Sequence, residues 1–243
     1  MRKILFIIFI ILLLTFYMIA GEYSETINRS FEASDSSKLN IKNINGNINI
    51  KTYNGKKINI EAIKRSENKF ELKSVKIIFE YDKDGLNIFP RGYKNNINAC
   101  INYKIEIPNN LNEIYIKTVN GNIDGKGNFS KVKARTVNGT ISFHAVMNVC
   151  SLSTVNGNIH VYRQSLFSGD MFMKSVNGSL KIELDSNSSF VVNGSTLNGH
   201  IKSDFPLKIS KGFIGSSISG NIEGGKYKIR LKTVNGNIKL YKN

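Results

Sequence analysis

Few residues of this chain have the types and spacing that chemistry needs. Beyond residue 110 the acids are Glu113, Asp124, Asp170, Glu183, Asp185, Asp204 and Glu223. Glu183 and Asp185 are two positions apart, so on a strand they share a face. That is the nearest approach to the paired carboxylates of a glycan hydrolase, and a solvated strand face accounts for them more simply. Acids this sparse also disfavour a calcium-binding repeat. His144, His160 and His200 stand at different offsets from the recurring glycines described below, so they form no stacked metal-ligand column. Gly125-Lys126-Gly127 lacks the third glycine and the helix of a nucleotide fingerprint. Gly215 to Gly220 misses the nucleophile-elbow spacing. Two cysteines cannot build a four-cysteine zinc site. The expectation is a protein without catalytic residues, metal or cofactor.

Cys100 and Cys150 could still react with each other. In an oxidising compartment two cysteines often pair. A disulfide tying the N-terminal part to the rest is expected, with two buried thiols as the alternative.

Charge is the stronger signal. The 243 residues carry 34 Lys+Arg against 18 Asp+Glu, a net charge of +16. Residues 111–243 hold 17 basic and 7 acidic side chains, so this half is the basic one. Lys181, Lys202 and Lys208 are expected to project from it and contact polyanions. The partners this implies are an acidic envelope glycan, lipopolysaccharide or an anionic membrane surface. Plain solubility charge is the competing explanation. Nucleic acid is disfavoured, because no binding motif accompanies the charge.

The N-terminus carries an address. Arg2 and Lys3 precede an uncharged run from Ile4 to Ile19, followed by Ala20 and Gly21. Charged, apolar and small residues in that order read as a secretory signal over 1–21. At 16 residues the run is short for a bilayer span, which needs about 20. A retained anchor is the alternative. Either way the rest of the chain is exported to periplasm, envelope or exterior.

These side chains must be positioned by a repeat. TVNGNI at 118–123 recurs as TVNGTI (136–141), TVNGNI (154–159), SVNGSL (175–180), TLNGHI (196–201), SISGNI (217–222) and TVNGNI (233–238). NINGNI at 43–48 is an earlier relative. The structural turn glycines are Gly46, Gly121, Gly139, Gly157, Gly178, Gly199, Gly220 and Gly236. A period near 20 marks stacked repeats. Residues around each motif alternate with period two, as Leu152/Thr154 and Ile159/Val161 do, so the flanks are strands.

The fold expected is all-β: a parallel β-helix or β-solenoid, right-handed by the crossover rule, with 18–21 residues per coil. Equivalent residues then stack about 4.8 Å apart. The Thr/Ser positions form a hydroxyl ladder, and Asn-Gly supplies a corner with positive φ. A hairpin meander or sandwich is the alternative, since Asn-Gly is also a strong hairpin signal. Residues 22–110 are less regular and read as an N-terminal β cap and opening coil, with a hairpin over 75–89. Residues 111–243 are the solenoid repeats, continuous with the cap as one domain. The chain stops just after the last motif, so its C-terminal coil is expected to be the thinly capped end, open to self-association.

The early Asn-Ile-Asn-Gly-Asn-Ile, Tyr103-Lys104-Ile105-Glu106-Ile107-Pro108 and the serial TVNG motifs carry a family likeness. From Leu39 to the C-terminus the sequence resembles the bacterial exported β-strand-repeat family labelled "putative adhesin", a domain of unknown function. The resemblance implies a β-helix-like fold, an envelope or extracellular location and no catalytic residues. Three function classes follow. The first is an adhesin-like, non-enzymatic envelope or surface binding protein. The second is a self-associating structural scaffold, and the third a glycan-active enzyme.

Overall fold

The computed structural model describes residues 18–19, 22–33, 38–82, 85–92, 99–162 and 169–243. The signal or anchor expected over 1–21 lies almost wholly outside them. The chain is all-β apart from one short helix. In order, it forms β1 (Met18–Ile19), β2 (Glu22–Glu32), β3 (Lys38–Lys42), β4 (Ile48–Tyr53), β5 (Lys57–Ser66), α1 (Lys69–Ser74), β6 (Lys76–Asp82), β7 (Gly85–Arg91), β8 (Cys100–Pro108) and β9 (Glu113–Lys117). The repeat region continues with β10 (Ile123–Arg135), β11 (Ile141–Ser153), β12 (Ile159–Tyr162), β13 (Met171–Lys174), β14 (Leu180–Leu184), β15 (Phe190–Asn198), β16 (Ile201–Ser203), β17 (Lys208–Lys211), β18 (Ser216–Ile222), β19 (Tyr227–Asn235) and β20 (Ile238–Lys242).

The strands build a solenoid-like stack with two walls. The first wall runs β8, β4, β10, β11, β12, β14, β20, β16, all parallel. The second runs β7, β3, β9, β10, β11, β13, β19, β15, also parallel. β10 and β11 are long enough to run through both walls. Period-two alternation turns one residue in two inward. Ile123, Ile141, Ile159, Leu180 and Ile238 stack in one wall, facing Ala134, Leu152, Met173 and Leu231 in the other, all buried. Each TVNG copy carries the chain across a common corner from the second wall to the first.

At that corner the motif residues form three ladders. Asn side chains run as a continuous amide chain: Asn120 donates to Asn45, Asn138 to Asn120, Asn156 to Asn138 and Asn177 to Asn156, each at 2.8 Å. Asn235 then donates to Asn177, and Asn198 to Asn235, both at 2.7 Å. The hydroxyl ladder takes a different form from the one expected. Thr118 Oγ1 donates to Ile44 O, and the hydroxyls of Thr136, Thr154, Ser175, Thr196 and Thr233 donate to the glycine carbonyl of the neighbouring rung, as Thr136 Oγ1 does to Gly121 O and Thr154 Oγ1 to Gly139 O, both at 3.0 Å. These bonds satisfy backbone carbonyls that the corner would otherwise bury unpaired.

The third ladder is glycine, and here the sequence-based reason needs correcting. Gly46 has φ +115, but Gly121, Gly139, Gly178, Gly199 and Gly236 do not have positive φ. Their requirement is close approach. A Cβ on Gly139 would stand 2.0 Å from Gly121 O, and one on Gly236 2.1 Å from Gly178 O. The rungs sit too close for any side chain.

Three further corrections concern order and end-capping. Gly220 is not a corner: it lies in β18 opposite Val192, in an antiparallel pair. The stack also leaves sequence order after Gly178. β19 pairs with β13 on one side and β15 on the other, and β20 pairs with both β14 and β16. The C-terminal motif is therefore an interior rung. The end rung is β15–β16, extended in the second wall by the antiparallel strands β18 and β17. Copies this similar do not reveal their docking order, and the β17–β18 excursion displaces the 217–222 copy from the corner.

At the other end the stack is closed by antiparallel pairs, β8–β5 and β5–β2 in the first wall and β7–β6 in the second. The last of these is the hairpin expected over 75–89. α1 crosses between the walls on the corner side. It is capped by Asn68 Oδ1, which accepts from Phe70 and Glu71 N–H, and it buries Leu72.

Candidate functional site

Outward residues on the first wall repeat in register, because they occupy the third and fifth positions after each corner glycine. The third-position row runs Asn49, Asp124, Ser142, His160, Lys181, Lys239, Lys202. The fifth-position row runs Lys51, Lys126, His144, Tyr162, Glu183, Tyr241. The rows cross the wall side by side.

At the β4–β11 end they pass into a groove of about 880 Å³, lined also by β2, β5 and β8. Charged and amide side chains line it, over a surface that is mostly apolar. Lys51 pairs with Glu106 at 2.8 Å and Lys104 with Glu61 at 2.9 Å. Ser30 Oγ donates to Asn59 Oδ1 at 2.8 Å. Beneath the groove Gly125 faces the core and leaves room for the buried Phe143 ring, from which a Cβ would stand 2.2 Å. The hydrogen bond from Lys51 holds the Glu106 carboxyl below its usual pKa. Crowding in the groove pushes the Asp124 carboxyl up, opposed by His144. Planar amides and carboxylates around a trough of this size suit the hydroxyls of a sugar chain.

Leaving the groove, the rows become aromatic and cationic. The His144 ring stacks on Tyr162 at 4.3 Å and 12°. Lys181 Nζ lies over the Tyr162 and Tyr241 rings, at 5.2 and 5.3 Å, and Lys202 Nζ over Tyr241 at 5.6 Å. Lys181 also pairs with Glu183 at 2.7 Å, and that bond raises its pKa. Desolvation, then Lys181, with a smaller contribution from Lys239, pushes the His160 pKa below its ordinary value. Like charges on adjacent strands repel, so Lys181, Lys239 and Lys202 form a positive strip that an anion would relieve.

Of the residues expected to meet polyanions, Lys181 and Lys202 are thus brought together across β20. Lys208 is not: it lies exposed on β17 opposite Ser219. No disulfide joins the two cysteines: Cys100 and Cys150 are both thiols. Cys100 sits opposite Arg65, whereas Cys150 pairs across to Val132 and Met171, so the two share no neighbouring strand. The expectation failed because both precede repeat landmarks in sequence without being adjacent in the stack. The groove, Tyr162, Tyr241 and Lys239 were missed. Aligning all motif copies and reading the third and fifth positions after glycine would have found the last three. Among the described residues no group of three or more His, Cys, Asp and Glu is placed to hold a metal, and no helix is long and apolar enough to cross a membrane.

The same architecture occurs in one solved structure of low identity, and two others match with lower scores. A protein named "putative cell adhesion protein" from Clostridium sporogenes ATCC 15579 is 10% identical, with TM-score 0.51 over 90% of this chain and 100% of that one. A "putative adhesin" from Bacteroides fragilis NCTC 9343 is 13% identical, with TM-score 0.40 over 88% of this chain and 96% of that one. A "putative lipid binding protein" from Parabacteroides distasonis ATCC 8503 is also 13% identical, with TM-score 0.34 over the same shares. No curated protein matches the chain. The first of these likenesses concerns fold alone. The family likeness reaches further, because the match spans residues 30–241, nearly every rung of the stack and the groove: the chain belongs to the Toastrack DUF4097 family.

Proposed function

We propose that this protein is an exported, non-enzymatic, adhesin-like binding protein that holds a linear acidic glycan of the cell envelope on its first wall. One observation carries the reading: the groove opens directly onto the His144–Tyr162 stack and, past the Lys181–Glu183 pair, onto Tyr241 with Lys239 and Lys202 beside it. Aromatic faces take the apolar faces of sugars. Amides take hydroxyls, and the lysines take the acid groups. The regular strand spacing of about 4.8 Å suits a polymer better than a single small ligand. The reading includes a right-handed winding of 18–21 residues per coil, one continuous domain from the antiparallel cap to the repeats, and export by the N-terminal segment. An envelope or extracellular site follows from that export.

The test is calorimetric titration with a uronate polymer, polygalacturonate, against neutral dextran. Saturable binding of the uronate that persists at physiological salt is expected, with no release of sugars. Tyr162→Ala combined with Lys239→Glu should weaken it by about a hundredfold, from the loss of one ring and reversal of one charge. Equal binding of dextran, or none of either, would refute the reading.

One observation favours self-association as a second reading. β17 is an outer strand with all four residues exposed. Lys208 and Lys211 on it are the kind of charges that blunt such an edge. Replacing both with Thr and following filament formation by light scattering tests whether that edge is restrained by charge.

A further inference from the structure

A different surface from the glycan track carries a second partner. The residue immediately before the Thr/Ser of each corner motif, with Lys42 of the first copy, forms one row along the outer edge of the second wall. The register aligns Lys42 with Lys117, Lys117 with Arg135, Arg135 with Ser153, Ser153 with Lys174 and Lys174 with Lys232. The five cations are exposed. They have no ion pair among the described residues, and no carboxylate interrupts the row. At about 4.8 Å per rung it is roughly 24 Å long.

Both ends of that corner edge carry bare apolar side chains. At one end the turn joining β17 to β18 presents Phe213, 106% exposed, and Ile214, 70% exposed. The turn lies against the corner of the end rung: Lys211 opposes Ser216, Ser216 opposes Thr196, and a Cβ on Gly215 would stand 2.6 Å from Thr196 O. Leu197 is half exposed beside it. At the other end α1 presents Phe70, 69% exposed. Strand directions place it on the same edge: β5 ends with Arg65 opposite Cys100, and Ile101 N–H donates to Asn45 O at the first corner. β2 begins there too, with Tyr23 opposite Ser66. β1 lies there too, with Ile19 opposite Glu22.

The geometry points to this corner edge as a docking surface for an anionic lipid bilayer, with Phe213 and Ile214 entering the interface and the Lys/Arg row lying on the headgroups. Fully exposed aromatic and aliphatic tips beside lysines are the composition of an interfacial contact. A negative leaflet attracts basic side chains within a Debye length. A linear polymer would follow the row and ignore the apolar tips. A plane reaches the row and both ends at once.

Because the chain contains no Trp, Phe213→Trp in the full-length protein is a unique reporter. The probes are vesicles of phosphatidylcholine with or without about one-third phosphatidylglycerol, carrying brominated acyl chains. With phosphatidylglycerol, the indole emission of this variant is expected to shift to the blue and be quenched. Adding Lys174→Glu and Lys232→Glu should weaken that response about tenfold or more. Tyr162→Ala should leave it unchanged, which separates this surface from the glycan track. A second reporter, Tyr81→Trp, sits at the far side of the stack, where Tyr81 opposes Leu86, and should stay unquenched. Water-like emission from the Phe213→Trp protein on anionic vesicles would overturn the proposal. So would equal quenching of both reporters, or binding of inorganic polyphosphate to the row while vesicles leave the emission of the Phe213→Trp protein unmoved.

Discussion

Gly139 tests why glycine recurs at the corner. Its backbone does not have positive φ, yet a Cβ would stand 2.0 Å from Gly121 O. Gly139→Ala is therefore expected to cost about 2–4 kcal/mol through forced separation of rungs, read as a lower urea midpoint. Gly224 is the converse, with φ +79 and nothing within 4 Å, so Gly224→Ala should cost only about 1 kcal/mol of backbone strain. Equal losses at the two sites would refute the close-approach explanation. His160 gives a pH signature. Its folded pKa lies below the ordinary 6.5, so the unfolded chain binds the proton first. Its contribution to stability is thus lost as pH falls through 6.5 toward the folded value. His160→Gln should flatten the decline in melting temperature between about pH 7 and 5. In the native protein, protonation there adds charge beside Lys181 and Lys239, so uronate binding should tighten over the same interval.

Among elements, the corner is held by its side-chain ladders as well as by strand pairing. Asn156 donates to Asn138 and accepts from Asn177. Asn156→Leu removes both bonds and should cost about 1–2 kcal/mol in chemical denaturation, more than the same change at Asn198, which ends the row. Much of this was legible in the sequence: Thr-Val-Asn-Gly recurring between alternating residues specifies a strand, a corner and a strand. The copy at 217–222 was not. Its Ser-Ile-Ser-Gly alternates as well as the others, but it pairs antiparallel with β15, a choice between partners that periodicity does not encode. The groove was equally hidden. It arises where β2 and β5 meet the outer face of β8, β4 and β10, and no local spacing reports that curvature. The Lys/Arg row was visible in principle, one residue before each motif, but only register shows that it is unbroken by acids.

At the scale of the whole molecule, two functional surfaces use different directions of one lattice: the track crosses the first wall, and the cationic row borders the corner. Both depend on rungs docking in the correct order. Removing residues 227–243 should abolish cooperative unfolding, because β13 and β14 would lose β19 and β20, and the end rung would have nothing to pair with on its inner side. Retention of a single sharp melting transition in that truncation would show that the end rung can dock directly on β13–β14. The interior placement of the last two strands also bears on synthesis. A chain made from its N-terminus can add rungs as they emerge only as far as Leu184. The β15–β18–β17 segment that follows can pair within itself, but it joins the stack only when β19 and β20 arrive to lie between it and β13–β14. Completion of the stack therefore requires that translation has passed β20, and a product cut short before Ile238 leaves β14 an open β-edge for proteases.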